Sequence, residues 1–134
     1  MAALKHRLNL VNCFTMPVGS SDIVAHSVCK LDSSALVVAT ANTEATAFFI
    51  TTEAGYGGRE VRCAGIGSIC FVIAIDDAIA EGDILGPDTG GRVDTIVSLG
   101  TASQYTVGRA LCASSAAAQL IPILYYPEVA TKQE

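Results

Sequence analysis

Charge is scarce in this sequence. Asp, Glu, Lys and Arg make up 16% of the residues, against about 25% in soluble domains generally. With a mean hydropathy of +0.46, much of the surface must be neutral or apolar. Such a chain either sits in a membrane or hides surface against other subunits. Long apolar runs are lacking too. Runs such as ICFVIAI, Ile69 to Ile75, fall far short of the roughly 20 residues of a membrane-spanning helix, so the membrane reading fails. The N-terminal LNLVNCFTM is interrupted by polar residues and has no clean small-residue cleavage site, so it is not read as a signal peptide. Burial against partner subunits is left as the explanation.

A basic stripe is also missing. The eight Lys and Arg are spread singly and the net charge is −5, which argues against nucleic-acid binding through phosphate neutralisation. Paired cysteine motifs are absent: Cys13, Cys29, Cys63, Cys70 and Cys112 are odd in number and contain no CxxC. A secreted disulfide scaffold would carry an even, denser set. Reduced, mostly buried thiols acting as small apolar side chains fit better, in a protein made in a cytosol.

What is present is a chain of 134 residues, 51% of them hydrophobic, enough for one domain with a sizeable core. Residues 1–21 differ from the rest. They carry Leu4, Leu8, Leu10, Val11, Phe14 and Met16 without a sustained period, interrupted by Asn9, Asn12, Pro17 and Gly19. This segment reads as an apolar N-terminal arm that must pack on something; Leu4, Leu8 and Val11 also fit helical spacing, which leaves a short helix open.

Residues 22–126 read as a β domain. SALVVAT (34–40) and ATAFFITT (45–52) are β-branched and aromatic runs. Glu60 to Ala64 alternates, and Ser68 to Ile75 is apolar on both faces, which requires cover on both sides. A strand starts at Asp83, PDTGG (87–91) is a turn, Arg92 to Val97 alternates, and strands follow at 105–112 and 120–126. Pro122 places the last one at an edge or a bulge, because proline donates no ladder hydrogen bond. Many short strands with no long amphipathic helix predict an all-β fold, a small β-barrel or sandwich. Residues 127–134 read as a polar tail.

Groupings that could do chemistry resolve into plainer roles. His26 and Cys29 have a metal-ligand spacing, but a zinc site needs about four ligands, and the other histidine, His6, lies in the arm. The plain reading is a strand with His26 on its polar face. A Cys–His nucleophile lacks any surrounding signature. Asp76, Asp77, Glu81, Asp83, Asp88 and Asp94 do not match a calcium loop and each sits beside turn residues, so turn capping is their expected role. Gly55 to Gly58 and Gly65-Ile66-Gly67 complete no phosphate-binding pattern and are read as turns. Catalytic residues, metal ligands and a cofactor site are therefore not expected.

One stretch carries a resemblance. Ala78, Ile79, Glu81-Gly82-Asp83 and Leu85 are followed by Gly91-Arg92-Val93. Val107-Gly108-Arg109-Ala110-Leu111, Ala117, Gln119-Leu120-Ile121 and Ile123-Leu124 then follow. This succession resembles the capsid decoration, or cement, proteins of tailed phages, over roughly the C-terminal half. The chain departs from the family's pattern at Ser114 to Ala118, which lacks a glycine usual before the last strand. The resemblance implies a compact β domain, often a homotrimer, that binds the major capsid protein on the outside of the assembled head and has no active site. Such a protein would reside on the virion surface, with Leu4, Leu8, Leu10, Phe14 and Met16 of the arm as expected partner contacts. The competing reading is a carrier or small-molecule-binding β-barrel. Gly82-Asp83 also resembles turns of biotinyl and lipoyl carriers, although no modifiable Met-Lys or Asp-Lys step follows. A cysteine-dependent enzyme is the third.

Overall fold

The computed structural model describes residues 8–41, 43, 47–96 and 104–130, the last two by backbone alone. Its strands are β1 (Phe14–Pro17), β2 (Val28–Asp32), β3 (Ala35–Val38), β4 (Phe49–Ile50), β5 (Glu60–Cys63) and β6 (Ile69–Ile73). They continue as β7 (Ile84–Asp88), β8 (Arg92–Thr95), β9 (Gln104–Tyr105), β10 (Gly108–Ala110), β11 (Leu120–Tyr125) and β12 (Val129–Ala130). The all-β expectation holds. Residues 8–21 of the arm segment run along the strand layers, with β1 inside them, and β12 pairs with β9 where the polar tail begins.

The C-terminal half builds one antiparallel sheet of five strands, in the order β6-β11-β10-β7-β8. Period-2 alternation turns one face inward: Cys70, Val72, Leu85, Val93, Ile121 and Ile123 are all buried in a common core. The sheet curls until its edge strands meet at a single parallel bridge, Ala74 to Val93. That contact is a bridge and not a ladder, so the sheet approaches a barrel without closing as one. Thr89 to Gly91 makes the tight link between β7 and β8; Asp88 caps it, and Gly90 and Gly91 have φ of 73° and 74°.

The other half forms the sheets β3-β2-β4 and β1-β5. Bridges Thr51–Cys63 and Val18–Leu36 draw these two sheets into one curved layer. Val18, Ile23, Cys29, Leu36, Val61 and Cys63 form a second core inside it. Strands β2 and β4 are the wall between the two cores. Val28 and Ile50 face the first, while their chain neighbours Cys29 and Phe49 face the second.

Three local readings differ from the structure. Pro122 lies in β11, which has neighbours on both sides. Odd-numbered residues of β11 bond towards β6, as Tyr125 does to Ser68; even-numbered ones bond towards β10, as Tyr126 does to Val107. The missing donor of Pro122 therefore faces Leu111, the residue after β10, whose own N–H still donates to Pro122 O at 2.9 Å, so one bond of that pair is forgone. Second, His26 is not in a strand: it occupies a turn with φ 66°, and β2 starts at Val28. Third, the strand expected over residues 105–112 is broken into β9 and β10, with Gly108 at φ 152°.

Two backbone positions carry opposite expectations. A Cβ on Gly108 would collide with the carbonyl oxygen of Leu124 in the paired strand. The β2–β3 hairpin turns on Ser33 and Ser34, with φ of 51° and 69°, the left-handed pair of a type I′ turn that favours Asn-Gly. Left-handed backbone costs a non-glycine residue about 1–2 kcal/mol, and glycine's extra unfolded-state freedom returns about 0.5–1. Chemical denaturation should show Ser34→Gly gaining about 0.5–1 kcal/mol and Gly108→Ala losing about 1–3 kcal/mol.

A candidate docking surface

Several acidic side chains hold turns and strand ends. Asp83 Oδ2 accepts from Ala80 N–H at 2.8 Å and from Thr95 Oγ1 at 2.7 Å. Asp76 accepts from Ala78 N–H, Asp88 from Thr89 N–H, Asp94 from Thr95 N–H and Asp22 from Gly57 N–H. Ser114 Oγ accepts from the buried Ile79 N–H at 3.1 Å. Asp88 and Asp94 line an open groove with Thr40, Ala41, Pro87 and Ile96. Partial burial raises the Asp94 carboxyl; the Thr95 N–H opposes this, and Asp76 and Asp88 reinforce it. Among the described residues, no group of three or more His, Cys, Asp or Glu is placed to hold a metal ion.

The thiols divide by burial. Cys13 is exposed, and Cys29, Cys63, Cys70 and Cys112 are buried. Burial pushes Cys29 and Cys70 up to about 12 and Cys63 up to about 11. The imidazole of His26 stands edge-on to Phe71, its centroid 6.1 Å away, and burial lowers its pKa.

Among the described residues, five of the ten exposed large apolar side chains lie at one end of the five-stranded sheet, while Phe14, Val24, Leu31, Tyr56 and Leu120 are exposed elsewhere. Asn9 exchanges two backbone hydrogen bonds with Ile69, of 3.0 and 2.9 Å, which sets Leu8 and Leu10 beside the edge strand β6. The Gly65–Ser68 turn delivers Ile66 to the same end, and Gly67 N–H bonds to Tyr125 O at 2.8 Å. Leu124 lies directly across from Ile69, and Tyr126 follows it at the end of β11. Leu8, Ile66, Leu124 and Tyr126 are 49%, 59%, 39% and 57% exposed. Further along the same face the sheet is covered: Pro122 is buried beside Phe71, which His26 caps.

Of the contact residues expected from sequence, Leu8 and Leu10 lie at this end, and Leu4 lies outside the described residues. Phe14 is partly exposed on β1 and meets Phe49 edge-on at 6.0 Å, while Met16 packs against the second core. Ile66, Leu124 and Tyr126 were not singled out from sequence. The signal was the alternation in LIPILYY, where Leu120, Leu124 and Tyr126 share the parity opposite to buried Ile121, Ile123 and Tyr125.

No protein-family profile and no curated protein matches this chain. Among solved structures, the crystal structure of the head fiber gp8.5 N base of bacteriophage phi29 superposes with a TM-score of 0.61 at 20% sequence identity. The match covers 87% of this chain and 94% of that one. What the two chains share is a fold.

The thiol environments yield two measurable outcomes. In the native protein at mildly alkaline pH, Cys13 should react rapidly with a thiol reagent and the buried thiols only after unfolding. The folded chain also keeps protons that the unfolded chain releases, from thiols near pH 8.5 and tyrosine near pH 10. Burial raises Tyr125 as well. Because the native state then binds more protons, stability is complete below about pH 8 and declines as pH rises towards the folded thiol values. The urea midpoint should fall progressively above about pH 8.5.

Proposed function

We propose that this chain is a structural protein of a phage head, bound to the outside of the assembled shell as a decoration or cement protein. Its docking surface is the apolar end formed by Ile66, Leu124 and Tyr126, edged by Leu8 and Leu10, which flank Asn9 and alternate to the other side of the sheet edge. That end is the observation that carries the reading: large side chains stay exposed there, while Asp22, Asp76, Asp83, Asp88 and Asp94 are engaged by neighbouring backbone N–H groups. The fold shared with a head fiber base and the resemblance of the C-terminal half to cement proteins point the same way. In this reading the major capsid protein is the partner, the N-terminal segment including Leu4 adds contacts, and the role involves surfaces and not catalysis.

Magnitudes favour a multivalent arrangement. Covering a half-exposed Leu, Ile or Tyr contributes about 1 kcal/mol, so this end supplies about 5 kcal/mol. Association costs at least about 4 kcal/mol in lost freedom. One copy therefore binds weakly, and a homotrimer engaging several shell sites binds firmly through effective concentration.

Sedimentation with purified expanded heads tests this. The wild-type chain should pellet with heads and raise their melting temperature. Leu124→Asp and Tyr126→Ala should each reduce the pelleted fraction severalfold while the free chain stays folded. Pelleting unchanged in both variants would sink the assignment of this surface, and no pelleting of the wild type would sink the function.

A further inference from the structure

The candidate docking end is not purely apolar. Arg109 on β10 is exposed, and it lies directly across from Leu124 on one side and Ile84 on the other. Cross-strand partners share a face with their Cβ atoms about 5 Å apart, so Arg109 is framed by two aliphatic side chains. The contrast with Arg92 is informative. Arg92 has Asp88 directly across the β7–β8 ladder, an acid facing a base, as a sheet surface normally arranges them. Among the described residues, Arg109 makes one hydrogen bond, from Nη1 to the carbonyl oxygen of Gly82 at 3.1 Å. The nearby acid Asp83 already accepts from Ala80 and Thr95. The guanidinium is thus aimed by a neutral carbonyl and has donors left over.

We propose that Arg109 is the specificity anchor of this surface and that the partner presents it with a carboxylate flanked by apolar side chains. This rests on the head-binding reading and names the chemistry of the segment that the shell protein offers. The aliphatic rim excludes water around the ion pair on docking, which strengthens it relative to an exposed pair. The planar fork favours bidentate pairing with a carboxylate, which lysine cannot reproduce. Leu124 and Ile84 supply area, and Arg109 supplies register and selectivity for acidic segments.

Binding isotherms on purified expanded heads, taken at low and high salt, decide it. Arg109→Gln should weaken binding about tenfold at low salt and flatten its salt dependence. Arg109→Lys should keep the salt dependence and lose part of the affinity. Leu124→Ala should weaken binding while leaving the salt dependence intact. An Arg109→Gln chain that stays folded and matches wild type in affinity and salt response overturns the proposal while leaving head binding standing. If that variant misfolds, wild-type affinity independent of salt overturns it instead. If Arg109→Gln breaks up self-association and leaves head binding per chain unchanged, the carboxylate belongs to a second copy and the proposal fails. A wild-type chain that does not bind heads removes the parent reading and this one together.

Discussion

The hydroxyl of Tyr125 donates to the backbone carbonyl oxygen of Phe48 at 2.6 Å, in a fully buried setting and across 77 positions of sequence. It joins the last strand of the five-stranded sheet to the segment entering β4, and therefore joins the sheet to the wall it packs on. Burial holds this phenol well above its ordinary pKa, so it remains a donor throughout the physiological range. Its loss would strand a buried carbonyl as well as a tyrosine-sized gap, and an unsatisfied buried acceptor alone costs about 1–3 kcal/mol. The ladder sets the register of β11 against β6, and this contact ties the end of that ladder to the start of β4.

That wall accounts for part of the scarcity of charge. Strands β2 and β4 bury successive residues on opposite sides, Val28 and Ile50 towards one core and Cys29 and Phe49 towards the other. A strand with two buried faces has few positions for Lys or Glu without an unpaired buried charge. Small residues follow from the same constraint. Gly65 admits the backbone of Val11 and Asn12, and Gly108 admits that of Leu124, approaches that leave no room for a Cβ. Part of the missing charge is thus spent inside the fold, and the exposed apolar end accounts for more of it.

Period-2 patterns and glycine turns are local, and where they decide the structure the sequence was readable. Strands β5, β6, β8 and β11 fall within the runs that alternate or are continuously apolar, and Pro87 to Gly91 turns as its residues require. The misreadings lie where the answer sits on another strand. Pro122 is tolerated in a strand flanked on both sides because it sits opposite Leu111 at the end of β10, where its carbonyl still accepts and one donor alone is missing, which no local pattern of LIPILYY reveals. Strand β1 looked unpatterned because Phe14, Met16 and Val18 alternate across Pro17 and pair with β5 and β3, partners distant in the chain. The candidate surface was half legible for the same reason. Leu8 and Leu10 are conspicuous in an apolar segment, whereas Leu124, Tyr126 and Ile66 acquire meaning only when the edge of β6 and the end of β11 are brought together.

A protein that acts through such a surface faces a conflict between solubility and attachment. Apolar area sufficient for firm monovalent binding would also drive the free chain to aggregate. The arrangement here moderates it in two ways. Part of the outer sheet face is covered by its own chain, with Pro122 buried and Phe71 beneath His26, which separates the exposed Leu124 and Tyr126 at one end from Leu120 at the other. Within that end a cation sits between Leu124 and Ile84, and a charge framed by apolar side chains disfavours contact with an indiscriminate hydrophobic patch, which would bury it unpaired. In the proposed role, attachment strength would come from repetition over a shell, and selectivity from a charged group that an indiscriminate apolar partner leaves unsatisfied.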